Sequence, residues 1–290
     1  MNCVRQPGGR SRILGIIGYP VEHSLSPLMH NAALTAAELD YWYLPFAVHP
    51  DRLGDAVAGM RALGITGFSV TIPHKVAVIP FLDQLDETAE AAGAVNTVAS
   101  RDGRLIGYNT DGDGLIKSLA SEVGFSCAEF GTIIIVGAGG ASRGAVAAFC
   151  RSGASRIIII NRSREKAEEV AMICGNKYPG TEIIATDNSN VLQPYLEETS
   201  LLVNSTSLGM KGEPFPFINL KDLPPTAAVY DMVYAPPVTP LLKDAMSRGL
   251  KNANGLGMLA AQGEIAYQIW TGFSPPSGVM RKALFETLTP

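Results

Sequence analysis

From residue 13 the chain alternates short apolar runs with longer stretches in which apolar positions recur every three or four residues. These are the periods of strands and helices. Residues 13–17, 41–48 and 67–72 read as strands, and residues 27–39 and 52–63 as helices. A helix over 112–123 leads into an apolar run at 132–136, a glycine-rich turn, a helix over 142–152 and a further run at 156–160. Runs at 182–185, 201–203 and 227–234 follow. These later runs are apolar throughout, as burial on both faces of a parallel sheet demands. The pattern predicts an α/β fold whose second part is doubly wound. The expected boundary lies near Gly112, giving segments 1–111 and 112–255, and the alanine-rich helix after Gly255 is expected to carry 256–290 back to the first domain.

A length of 290 residues favours two domains, each able to bury its own core. Hydrophobic residues at 47% and charged residues at 17% exclude a disordered chain or a small disulfide scaffold. The net charge of -4 offers no basic stripe, which argues against nucleic acid and membrane surfaces as partners. Cys3, Cys127, Cys150 and Cys174 are too widely spaced for a zinc or redox motif, so no metal is expected and the cytoplasm is the simplest setting. Residues 1–12 carry no apolar segment of signal-peptide length.

Gly137-Ala138-Gly139-Gly140-Ala141-Ser142 stands between a strand and a helix, the context of a dinucleotide-binding turn. Glycines let a pyrophosphate approach the backbone at a helix N-terminus, whereas the bland alternative is a tight turn. Ser142 replaces the last glycine but is small enough for close packing. The next strand ends in Asn161-Arg162-Ser163-Arg164-Glu165-Lys166, where NAD-binding proteins usually carry an acid for the ribose. Arg162 instead offers a planar fork suited to a 2'-phosphate, so NADP is the expected cofactor.

All four histidines, His23, His30, His49 and His74, precede the dinucleotide domain, so a proton-transfer group is expected from the first domain. Lys75 follows Thr71-Ile72-Pro73-His74 at a helix start, whose positive end favours the neutral amine; His74 reads as structural. Asp111, in a turn-rich segment, is either a helix-starting cap or a partner for Lys75. Ser24-Leu25-Ser26-Pro27 reads as a helix start with Ser26 at the N-cap, which either only caps or also binds a small carboxylate.

In order and spacing, the motifs Ser24 to Pro27, Thr71 to Lys75, Gly93 to Thr97, Tyr108 to Gly112, Gly137 to Ala141, Asn161-Arg162 and Gly255 to Met258 resemble the shikimate dehydrogenase family. The resemblance covers nearly the whole chain. It implies an N-terminal α/β substrate domain, a doubly wound Rossmann NADP-binding domain and a C-terminal helix returning to the first. It also implies reversible hydride transfer between shikimate and 3-dehydroshikimate, a biosynthetic step. Lys75 and Asp111 would then be the catalytic pair. Ser24 and Ser26 would hold the substrate carboxylate, with Thr71, Asn96, Asp111 and Gln262 on ring hydroxyls and Tyr234 also reaching the substrate. Gly137, Ala138, Gly139, Gly140, Ala141, Asn161, Arg162, Ser163 and Lys166 would bind the cofactor, with Met232 and Gly255 near the nicotinamide and Glu87 a further candidate. Lys166 and Ser163 depart from the Arg and Thr of many relatives, which bears on the strictness of NADP preference.

Asn204-Ser205-Thr206 follows the run at 201–203, where ligands collect in open sheets. Rival readings are a quinate/shikimate dehydrogenase using NAD or NADP, a methyltransferase, and a non-catalytic dinucleotide sensor. The absence of an acid at Asn161-Arg162 disfavours the second, and the joint presence of Lys75 and Asp111 disfavours the third. Assembly is left open, a homodimer included.

Overall fold

Leu14, Gly15, Ile16, Ile17 and Gly18 are buried in succession, so the first strand has both faces covered. The computed structural model describes residues 6–126, 129 and 131–288. The readings of Cys3 and Cys127, and of the leader as far as residue 5, fall outside the described residues. The chain divides into two units, Met1–Glu87, Val95–Thr110 and Gly263–Pro290 against Thr88–Ala94 and Asp111–Gln262.

The first unit opens with β1 (Arg12–Gly18), α1 (Ser26–Ala36), β2 (Tyr41–Ala47), α2 (Leu53–Ala62), β3 (Gly67–Val70) and the one-turn α3 (His74–Ala77). It continues through β4 (Gln84–Leu85), past α4 (Glu87–Ala92), to β5 (Thr97–Arg101) and β6 (Arg104–Tyr108). The strands lie in the order β2-β1-β3-β5-β6-β4. β1 runs parallel to β2 and β3, whereas β5 pairs antiparallel with both β3 and β6. β5 and β6 are joined through Asp102-Gly103, both at positive φ, as a two-residue hairpin connection requires. β2 is an edge strand, which is why it tolerates Pro45.

Relative to the apolar pattern, α1 starts one residue earlier than expected and ends at Ala36, and β3 stops at Val70 rather than at residue 72. Past Val70 the backbone leaves the ladder and turns into α3 through a Thr71–His74 turn bond of 2.9 Å.

The second unit holds α5 (Asp111–Ser118), β7 (Thr132–Val136), α6 (Gly140–Arg151), β8 (Arg156–Ile160), α7 (Arg164–Lys177), β9 (Glu182–Thr186), β10 (Thr199–Asn204), β11 (Ala228–Asp231), α8 (Pro240–Ser247) and β12 (Lys251–Asn254). All its strands are parallel, in the order β12-β11-β10-β7-β8-β9, the doubly wound arrangement. β7 is buried at every position, and its isoleucines alternate between two cores, Ile133 and Ile135 on one face and Ile134 on the other. The order reverses between β7 and β10, and open sheets of this kind bind ligands outside the carboxyl ends of the strands at such a point. The run at 227–234 yields a strand only as far as Asp231, because the carboxylate there turns back to accept the Val233 N–H.

α9 (Leu256–Thr271) and α10 (Val279–Leu288) complete the chain, and α10 packs on α1. Trp270 of α9 is buried against Gly67, and its indole N–H donates to the Val98 carbonyl at 2.9 Å. Its ring closes a cluster with His30 and with Tyr43, which stack at 4.4 Å. No helix among the described residues is long and apolar enough to cross a membrane.

Candidate active site

β7 ends at Val136, and Gly137 turns the chain at a φ of +113°. A Cβ at this position would lie 2.5 Å from Ser205 Oγ, so a side chain is excluded by conformation and by space. The Ser142 hydroxyl, fully buried, donates to the Gly137 carbonyl at 2.7 Å. That bond closes the turn tightly, and α6 accordingly begins at Gly140 rather than at residue 142. Gly139 stands at the N-cap, supplies no capping side chain and has open space where a Cβ would be. Among the described residues no side chain thus caps the first-turn N–H groups of this 12-residue helix, which fits a pyrophosphate. Gly137, Ala138, Gly139, Gly140 and Ala141 are the residues of this cradle.

At the end of β8 the Asn161 carboxamide donates to the Ser163 carbonyl at 2.8 Å, holding the turn that presents Arg162. Ser163 is the N-cap of α7: its hydroxyl accepts from the Lys166 N–H and donates to the Glu165 carboxylate at 2.8 Å. Bonds from its own backbone and from Ser163 hold the Glu165 carboxyl below its ordinary range. Arg164 pairs with Glu168 at 2.8 Å, while Arg162 is exposed and makes no ion pair among the described residues. The two arginines of this turn are therefore not equivalent, and Arg162 rather than Arg164 is available to a phosphate.

The substrate candidates of the first unit gather around the end of β3. The Val70 N–H donates to the Asn96 carbonyl and the Val95 N–H to the Lys75 carbonyl, each at 2.7 Å, which ties Thr71, Lys75 and Asn96 into one region. Ser26 joins it through Tyr43, whose hydroxyl donates to Ser69 at 2.7 Å and also bonds Ser26. Burial pushes the Tyr43 phenol well above its ordinary value, so it stays protonated. Ser26 is not the N-cap: Leu25 holds that position without a capping side chain, and Ser24 Oγ accepts the Ser26 N–H at 3.3 Å. The reason is that Ser26 already adopts helical geometry, one residue before Pro27. His74 is buried with Nε2 2.7 Å from the Val48 carbonyl, an acceptor only, so Nε2 carries the proton and the side chain is structural. Tyr43 and Ser69 escaped the sequence reading; the available signal was Ser69 two positions before Thr71, on the same face of the expected strand 67–72.

Asn96 is buried and its carboxamide engages Thr110. Asp111 is buried at the first position of α5, and Gln262 is half-buried in α9 with its amide on the Leu259 carbonyl at 2.7 Å. Met232 and Tyr234 lie just beyond β11, and burial raises the Tyr234 phenol. Gly255 abuts the Met232 backbone so closely that a Cβ would meet the Met232 carbonyl oxygen at 2.1 Å. Glu87 is exposed at the start of α4. Among the described residues no group of histidine, cysteine or acidic side chains is arranged to hold a metal ion, and Cys150 and Cys174 are buried free thiols.

Residues 16–98 match the shikimate dehydrogenase substrate binding domain, residues 119–211 the shikimate / quinate 5-dehydrogenase family, and residues 255–285 the shikimate 5'-dehydrogenase C-terminal domain. Over 282 residues the chain is 51% identical to the shikimate dehydrogenase (NADP(+)) of Citrifermentans bemidjiense, covering 97% of each protein. The chain belongs to the shikimate dehydrogenase family. Among solved members, the shikimate 5-dehydrogenase of Listeria monocytogenes in complex with shikimate and NAD is 34% identical, with a TM-score of 0.88 and 98% of each chain covered. The Thermus thermophilus enzyme in complex with NADP(H) and shikimate is 32% identical, with a TM-score of 0.83, covering 96% of this chain and all of that one. The expected α/β fold, a substrate domain followed by a Rossmann-type domain, is the one this shikimate dehydrogenase family shares.

Proposed function

We propose that the protein is an NADP-dependent shikimate dehydrogenase, interconverting shikimate and 3-dehydroshikimate. The observation that carries this reading is the 51% identity to a shikimate dehydrogenase (NADP(+)) along 97% of both chains. The uncapped glycine cradle before α6 and the unpaired Arg162 after β8 support the choice of dinucleotide.

When bound, NADP would supply the hydride acceptor for the alcohol carbon, and NADPH the hydride donor for the ketone. The protein's part is to move the hydroxyl proton. In oxidation the Lys75 amine takes that proton as the C–H hydride leaves and the C–O bond becomes a carbonyl. In reduction the Lys75 ammonium gives it back. Asp111 is its partner in the catalytic pair and bonds a ring hydroxyl. Ser24 and Ser26 hold the carboxylate at the start of α1, Thr71, Asn96 and Gln262 bond the remaining hydroxyls, and Tyr234 also reaches the substrate. Gly137 to Ala141 receive the pyrophosphate, Asn161, Arg162, Ser163 and Lys166 the adenosine 2'-phosphate side, and Met232 and Gly255 the nicotinamide side, with Glu87 a further candidate for the cofactor.

A rate matrix of shikimate and quinate, each with NADP and NAD, tests the reading. Shikimate with NADP is expected to give the highest kcat/KM. Dominance of quinate or NAD would move the protein to the quinate/shikimate branch, and inactivity in all four combinations would remove the assignment.

A further inference from the structure

Asp231, the last residue of β11, is fully buried, yet nothing in the proposed chemistry uses it. Its carboxylate accepts from three donors: Asn204 Nδ2 at 2.8 Å, the Val233 N–H at 3.0 Å and Thr239 Oγ1 at 2.6 Å. Burial raises its pKa, and those three bonds oppose the rise. Every partner is a donor in this arrangement, which suits a charged acceptor-only group.

The bonds reach the loop after β10 and both ends of the loop between β11 and α8. The Asn204 carboxamide also donates to the Leu208 carbonyl, while its oxygen accepts from both the N–H and the hydroxyl of Thr206 at 3.1 and 2.7 Å. Thr206 sets the carboxamide's orientation, so the amide nitrogen faces Asp231. Ser205, between these two, donates to the Val136 carbonyl and presses on Gly137. On the other side, the Val233 bond folds the chain back immediately after Met232, and the Met232 N–H donates to the Asn204 carbonyl at 2.9 Å. Thr239 caps α8 by accepting the Leu242 N–H, which fixes the far end of the loop that starts with Met232 and Tyr234.

We infer that Asp231 is a positioning residue for the nicotinamide half of the dinucleotide, clamping the Thr206 loop to the Met232 loop at the carboxyl ends of β10 and β11. The inference rests on the proposed function for the identity of the ligand. A buried anion is suited to this task because one carboxylate can satisfy donors from two loops and a helix cap simultaneously. An apolar residue of the same size would remove the acceptor from all three donors, leaving the Val233 N–H and the Thr239 hydroxyl without it and Asn204 with the Leu208 carbonyl alone.

The test compares Asp231→Asn, which keeps the shape but turns a donor toward the cluster, with Thr239→Val, which removes a single bond. Leu196→Ala, a core truncation elsewhere in the same unit, serves as the control for plain destabilisation. NADPH binding is read by nicotinamide fluorescence and paired with KM values for NADP and shikimate and with Tm. Asp231→Asn is expected to weaken NADPH binding and raise the KM for NADP by roughly tenfold, Thr239→Val by about threefold, on the scale of one charge-assisted bond. Leu196→Ala should lower Tm with cofactor constants unchanged. Should Asp231→Asn fail to fold, Thr239→Val decides alone. Cofactor constants within twofold of the parent in every variant that folds would overturn the inference. A parent that binds NADPH but does not oxidise shikimate would instead sink the proposed function, while the binding comparison still stands.

Discussion

Asn96 and Thr110 clasp each other: the Asn96 amide donates to Thr110 Oγ1 at 2.9 Å, and its oxygen accepts the Thr110 N–H at 2.8 Å. Both are buried, and the pair joins the residue before β5 to the second residue after β6. The carboxamide proposed to meet a ring hydroxyl is therefore held in place by the backbone it borders. Asn96→Ala strands a buried N–H, and is expected to cost about 1–3 kcal/mol in urea unfolding and to lower kcat/KM for shikimate. Unchanged stability would show that the clasp contributes nothing.

Lys75 belongs to a one-turn helix directly after β3. Replacing it by Ala removes the proposed proton acceptor without touching the glycine cradle. Turnover should fall by roughly 10²–10⁴-fold, the usual weight of a general base, with NADPH binding within twofold of the parent. Steady-state rates and fluorescence titration separate the two quantities; retained turnover would take Lys75 out of the mechanism.

Arg162 and Glu165 act in opposite senses on a 2'-phosphate. Arg162→Ala is expected to raise the KM for NADP by about tenfold or more while shifting that for NAD less than twofold, since a charge-assisted bond contributes roughly 1.5–3 kcal/mol. Glu165→Gln frees the Ser163 hydroxyl from a carboxylate and removes a like charge, so it should lower the KM for NADP. Equal effects of Arg162→Ala on both cofactors would contradict the NADP assignment.

His30 is buried between Tyr43 and Trp270 with no hydrogen-bond partner for either ring nitrogen among the described residues, and burial lowers its pKa from 6.5 to about 3. The folded state holds it neutral while the unfolded chain protonates it near 6.5, so its effect on stability is absent above that pH. Below it, stability declines by about 1.4 kcal/mol per pH unit as pH falls toward the folded value. His30→Phe keeps an aromatic ring against Tyr43 and cannot titrate. Urea midpoints measured from pH 7.5 to 5 should decline less steeply in the variant; parallel declines would mean that His30 is not the group responsible.

Several features of the site were legible in residue order alone. The continuous apolar runs announced a parallel sheet, because strands covered on both faces have no polar side to display, and the glycines after residue 136 marked the place where a backbone must approach a ligand. The unlike fates of Arg162 and Arg164 were not legible, since both are arginines of one turn and only the helical register of α7 hands Arg164 to Glu168. The hairpin at Asp102-Gly103 carried a local signal, but β5 and β6 are short and flank no long apolar run.

By itself, then, the sequence determined the α/β alternation, the dinucleotide turn and the set of side chains from Ser24 to Gln262 that carry the proposed chemistry. The first two follow from local rules, periodicity and turn chemistry, whereas the set of side chains is what the ordered motifs imply through the family resemblance. Tertiary structure alone decided that Tyr43 and Ser69 support Ser26, that Asn96 is fastened to Thr110, and that a buried Asp231 ties together the loops of Asn204, Met232 and Thr239. Such partners are separated along the chain, and a buried polar group is read correctly only once its donors and acceptors have been brought around it.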